Sequence, residues 1–269
     1  RSEQWKTNEE RKMNKMLKEL HQERMARIQP TFRDVQIDEK ISITICEKSG
    51  MEIGSSLWPA SFAISKYFSE RNRGNDSGFF KDKTVLELGA GVGLAGVCAA
   101  VLGAKVTLTD RKSVLPILRK TVAKNANNTV NHPEVLELDW GKGIQTKSGS
   151  CHSSTFDFII GADILYVPEQ ALHFLLDELL RYSSEKTEII IAFQLRYGKE
   201  LTFLNAARAA GFSLKRIQGP DVSAIMNNLC SDGSSAASPA RKGSRPIKEP
   251  ACCIYNLQRP KSQKIPSDR

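Results

Sequence analysis

From residue 83 onward the chain alternates short apolar runs with stretches at helical period, and this rhythm is its strongest signal. Thr84 to Leu88 is a β-rich run. Leu94 to Leu102 is small and apolar at helical period, Lys105 to Thr109 reads as a strand, and Val114 to Asn127 is amphipathic. Val135 to Leu138 predicts a short strand, Phe156 to Ala162 a buried one, and Glu169 to Tyr182 a Leu-rich helix. Glu188 to Phe193, with its Ile-Ile-Ile centre, predicts a central strand, and Lys199 to Ala210 a helix stopped by Gly211. Strands separated by helices imply right-handed crossovers, hence an α/β, doubly wound, mostly parallel sheet with helices on both faces.

Upstream, Ile41, Ile43 and Ile45 alternate with Ser42 and Thr44, which predicts a half-buried strand within Ile37 to Cys46. Leu57 to Phe68 predicts a helix opened by Trp58-Pro59. Residues 1–29 read as a charged helix with Met13, Met16, Leu17 and Leu20 on one narrow stripe, expected to lie on the domain, and Pro30 ends it. Residues 219–250, including Ser231 to Pro239, are too polar to order alone and predict a flexible insertion. The chain then returns to a strand-like run, Cys252 to Leu257, which with Phe212 to Ile217 is expected to form an antiparallel pair at the sheet edge. The expected organisation is one helix over 1–29 and a single domain over 30–269.

With 40% apolar and 26% charged residues among 269, the composition is that of an ordinary soluble globular protein, which excludes collagenous, largely disordered and membrane-spanning classes. The net charge of +9 suggests nucleic acid until it is divided along the chain. Residues 1–29 carry +3, residues 219–269 carry +4, and the long middle only +2. Basic flanks on a nearly balanced domain argue for tails that tune docking, and nucleic acid and membrane are not expected partners. The six cysteines show no paired Cys-x-x-Cys spacing, which predicts a reducing compartment, the cytoplasm with the nucleus as a further expectation. The sole Cys/His adjacency is Cys151-His152 in a Ser-rich stretch, so no metal site is expected. No signal peptide is recognisable.

The chemistry concentrates at Glu87-Leu88-Gly89-Ala90-Gly91-Val92-Gly93-Leu94, which ends a strand and opens a helix. Glycines belong there because the backbone must turn sharply and approach a ligand closely. Two cofactor classes compete. Gly91-x-Gly93-x-x-Gly96 satisfies a dinucleotide fingerprint, and Asp110, 19 residues beyond Gly91, suits a ribose under either reading. Three further features favour S-adenosylmethionine: Glu87, a carboxylate beneath the loop; Asp139-Trp140, an indole for adenine after the third strand; and Asp163-Ile164-Leu165-Tyr166 at the carboxyl edge after the fourth.

These residues, with Ser56-Leu57-Trp58-Pro59-Ala60 and Leu102-Gly103-Ala104 leading to Thr109-Asp110, resemble the seven-strand S-adenosylmethionine-dependent methyltransferases. More narrowly, the Asp-x-x-Tyr element resembles that of the methyltransferase-like protein lysine methyltransferases. The resemblance implies a Rossmann-like seven-stranded sheet with an antiparallel final strand. It implies that Gly89, Ala90 and Gly91 line the methionine and ribose portion of the cofactor and that Asp110 binds the ribose. Trp140 would flank the adenine, and Trp58 and Ala162 would be further contacts. Asp163 and Tyr166 would face the methyl-acceptor channel, Asp163 orienting the amine and passing its proton outward. The implied partner is a protein substrate, such as a folded chaperone, an ATPase or a translation factor, acted on by a monomer. A small-molecule, arginine or nucleic-acid acceptor, a catalytically silent binding module and an NAD-dependent oxidoreductase stand as alternatives. The Asn/Asp-Pro-Pro-aromatic element of nucleic-acid amino-methylating enzymes is absent from Asp163 to Tyr166.

Overall fold

Along each central strand successive side chains enter two different cores, and this sorts the helices into layers. The computed structural model describes residues 10–20, 23, 29–48, 53–73, 78–144, 155–196, 198–217 and 252–259. The expected insertion at 219–250, the Cys151-His152 pair and the greater part of the flanking charge lie outside the described residues. The elements are α1 (10–20), the hairpin β1 (Thr31–Gln36) and β2 (Ser42–Glu47), α2 (Pro59–Arg73), β3 (Thr84–Leu88), α3 (Leu94–Val101) and β4 (Lys105–Asp110). They continue as α4 (Leu115–Lys124), β5 (Glu134–Glu137), β6 (Phe158–Ala162), α5 (Glu169–Tyr182), β7 (Glu188–Gln194), α6 (Lys199–Ala209), β8 (Ser213–Ile217) and β9 (Cys252–Gln258).

Val85 of β3, Phe158 and Ile160 of β6, and Ile190 and Ala192 of β7 join the core beneath α2, α3 and α4. Their neighbours Leu86, Leu88, Ile159, Ile189, Ile191 and Phe193 join the core beneath α5 and α6. The strands are thus apolar on both faces, as a covered parallel sheet requires. The sheet has seven strands in the order β5-β4-β3-β6-β7-β9-β8. Pairing from β5 through β7 is parallel, and β9 runs antiparallel to both its neighbours. Strand order reverses between β3 and β6, and ligands of open α/β sheets bind at the carboxyl ends of the strands at such a point.

The expected edge pair forms, with β8 at the edge and β9 inside. Cys253 and Leu257 of β9 enter one core and Ile254 the other, whereas Ser213, Lys215 and Arg216 of β8 are exposed, and an edge tolerates that polarity. The strand expected within Ile37 to Cys46 has an unanticipated partner, β1, in which only Val35 is buried. Asn125 at the end of α4 holds the hairpin down, accepting from Thr44 N–H at 3.0 Å and donating to the Thr44 carbonyl at 2.7 Å. The hairpin in turn holds the following segment, because Glu47 Oε1 accepts the Leu57 N–H at 2.8 Å. The apolar stripe of α1 does not pack as expected: Met13, Met16, Leu17 and Leu20 remain about half exposed, at 52%, 49%, 54% and 53%.

Candidate cofactor and acceptor site

Tight turns after successive parallel strands leave a cavity of about 440 Å³ at the switch point, within the range of small-molecule sites. The loop after β3 contributes Gly89 and Gly91, the end of β4 contributes Asp110 and Arg111, and the segment after β5 contributes Asp139 and Trp140. Ala162 ends β6 and Asp163 and Tyr166 follow it, Trp58 immediately precedes α2 and Ser61 lies in its first turn, and Phe174 comes from α5. A wider groove of about 750 Å³ lies against the sheet at Tyr67, Lys215 and Asn256. The Arg71–Glu188 ion pair, 2.7 Å, is part of its wall, and no glycine loop lines it.

The glycine loop is tied by its own amides. Ala90 N–H donates to the Thr109 carbonyl at 2.9 Å and Gly93 N–H to the Ala90 carbonyl at 2.8 Å. Gly91 N–H donates to Asp110 Oδ2 at 2.8 Å, and Gly96 N–H to Glu87 Oε2 at 3.0 Å. A pyrophosphate cradle needs such amides aimed at its oxygens; here they are engaged within the fold. The charged side chains on the wall are Asp110, Asp139, Asp163 and Arg111, with Asp163 paired to Arg196 and Asp139 to Lys142, so no excess of positive charge awaits a pyrophosphate. Gly89 has φ +65°, and a Cβ there would come within 2.8 Å of Ile164 Cγ2, so a side chain at this point would displace the turn carrying Asp163.

Of the residues predicted to bind the cofactor, Trp58, Gly89, Gly91, Asp110, Trp140 and Ala162 all line this one cavity, as do Asp163 and Tyr166. Ala90 is buried in the core on the α3 side and is not among the lining residues. Glu87 requires a correction. It is 1% exposed and does not line the cavity. Burial, with the charge of Asp110 adding to it, raises its pKa to about 8 against the partial relief of the Gly96 amide. It is therefore a protonated spacer beneath α3 at neutral pH, and contributes no negative charge to attract a cation.

Asp163 sits in the left-handed region at φ +56°, its N–H donates to the Ala192 carbonyl at 2.7 Å, and Arg196 donates to both carboxylate oxygens, at 2.9 and 2.7 Å. A carboxylate gripped on both oxygens by a guanidinium is fixed in orientation and can orient an amine. Arg196 also donates to Gln194 Oε1, and its guanidinium lies 5.3 Å from the Trp58 ring centroid, within cation–π range. Sequence reading missed Arg196. The only available signal was its place just beyond the end of β7, beside the strand that ends at Ala162.

The strand order, the glycine loop and this wall define a protein of the Rossmann-like methyltransferase class. In fold it is similar to the T. thermophilus 16S rRNA N2 G1207 methyltransferase bound to AdoMet and guanosine, with a TM-score of 0.55 over 86% of this chain and 51% of that one. At 15% identity this likeness is one of fold alone. The chain belongs to the lysine methyltransferase family, whose sequence pattern matches residues 37–210. It is 35% identical over 153 residues to the protein N-lysine methyltransferase METTL21A of Xenopus tropicalis, covering 56% of this chain and 66% of that protein. It is 32% identical over 158 residues to EEF1A lysine methyltransferase 3 of the same organism, covering 58% and 65%. The chain thus spans somewhat less than two thirds of the length of these curated relatives.

Proposed function

We propose that this protein is an S-adenosylmethionine-dependent protein-lysine N-methyltransferase, and that residues 30–269 act as a single catalytic domain. The observation that carries the reading is the convergence of the Asp163–Tyr166 turn with Asp110 and Trp140 on one cavity. The cavity suits the cofactor on its own chemistry: an acid at the end of β4 for two ribose hydroxyls, an indole for adenine, and loop amides already engaged. When bound, the cofactor supplies a methyl group on a cationic sulfur with a neutral thioether as leaving group.

The protein must then align the acceptor and exclude water. A lysine amine with an ordinary pKa of about 10.4 attacks only once deprotonated, and a desolvated, cation-containing channel favours the neutral amine. Trp58 and Tyr166 wall the channel, and Asp163, fixed by Arg196, orients the amine. An amine held there would accept the methyl group as the neutral thioether left, and its proton would pass to solvent. By analogy with the relatives, the substrate is a protein, with an elongation factor such as the one that EEF1A lysine methyltransferase 3 is named for first in order of trial. We further propose that the enzyme works as a monomer in the cytoplasm, with the nucleus as a further site.

Incubation with labelled S-adenosylmethionine and extract of the source cells tests the reading. Label is expected in protein and is expected to vanish when the acceptor lysine is replaced by arginine. Label in nucleic acid or small molecules, or cofactor binding without any transfer, would overturn it.

A further inference from the structure

Two charged groups meet at the acceptor end of the cavity, and only one of them lines it. Asp163 is on the wall with a side chain 4% exposed; Arg196 stands behind it, 24% exposed. The other acid beside Arg196 is Glu200, 2% exposed, whose Oε1 accepts the Arg196 N–H at 3.3 Å; it is not a wall residue. The guanidinium thus connects the end of β6, the end of β7 through Gln194, and the ring of Trp58 immediately before α2. Its bidentate grip leaves the pair at the wall without net charge.

We propose that Arg196 is a positioning residue that acts through Asp163, cancelling its charge so that the acceptor end of the cavity is electrically balanced before the ligand enters. The inference rests on the cofactor reading above. An unmatched carboxylate there would hold the cofactor's positive sulfur tightly in the ground state and would keep an incoming lysine protonated. Both effects oppose transfer, because an enzyme gains rate only from interactions stronger in the transition state. The paired carboxylate can still accept from an amine through its remaining lone pairs.

The test needs no acceptor. S-adenosylmethionine carries a positive sulfur and S-adenosylhomocysteine a neutral one, so the ratio of their affinities, measured by calorimetry, reads the charge of this end of the cavity. R196Q is expected to shift the ratio toward S-adenosylmethionine by about tenfold, the scale of one unmatched charge nearby. D163N is expected to shift it the other way, and the double variant D163N/R196Q to return within about twofold of the parent. R196K keeps the charge without the fork, so its ratio should stay near the parent. Misfolded protein lowers the number of sites for both ligands alike and does not move the ratio. An unchanged ratio in R196Q, or a double variant that keeps the R196Q ratio, overturns the inference while leaving the cofactor reading intact. A parent that binds neither ligand overturns both.

Discussion

Asp110 shows how one carboxylate can serve structure and binding together. Its Oδ2 accepts the Gly91 amide and its Oδ1 the Arg111 amide at 2.7 Å, which turns the side chain toward the cavity. Asp110→Ala should weaken S-adenosylmethionine binding by about 2–4 kcal/mol, through lost charge-assisted bonds and a loosened loop. Asp110→Asn retains an acceptor for Gly91 and should lose less; calorimetry on both variants separates the two roles. Glu87 offers a pH test. Its folded pKa of about 8 stands above the ordinary 4.5, so the folded state holds a proton that the unfolded state has released between these values. Its stabilising contribution is complete below about 4.5 and declines as pH rises toward 8. Glu87→Gln should therefore flatten the fall in melting temperature across that window and raise stability above pH 7. Sequence placed Glu87 beneath the loop correctly. Its protonation state was not legible, because that depends on burial by residues distant in the chain.

At the scale of elements, α5 holds the adenine end of the cavity in place. Glu178, fully buried, accepts from the Gly141 and Gly143 amides at 2.8 and 3.1 Å, and Tyr182 Oη accepts the Ile144 amide at 2.6 Å. These contacts pin the segment that follows Trp140, although neither Glu178 nor Tyr182 lines the cavity. Glu178→Ala should weaken cofactor affinity several-fold, detectable by titration, and lower the melting temperature, since two backbone amides lose an acceptor. The boundaries of α5 were legible because its Leu spacing is strong, and β3 because its run is β-rich. β1 was not, because Thr31–Gln36 carries one buried residue and owes its form to pairing with β2. Arg196 was illegible for a related reason: its partner Asp163 lies 33 positions away and no local pattern announces the pair.

For the whole molecule, the excess positive charge belongs mainly to the flanks, and the described part of the N-terminal flank, α1, is exposed throughout. If the flanks dock an acidic protein surface, removing residues 1–29 and 231–248 should reduce acceptor affinity and its dependence on salt while leaving cofactor affinity unchanged. Binding measured at two ionic strengths checks this.

The interior place of β9 bears on how the protein is made. β7 and β8 are synthesised well before the strand that joins them, so each presents an open hydrogen-bonding edge until residues 252–258 leave the ribosome. β9 also brings Cys252 opposite Gln194, next to the arginine that grips Asp163. A chain cut short before residue 252 would keep every residue of the cavity wall, yet emerge with two unsealed edges and a loosened acceptor end, a product prone to self-association.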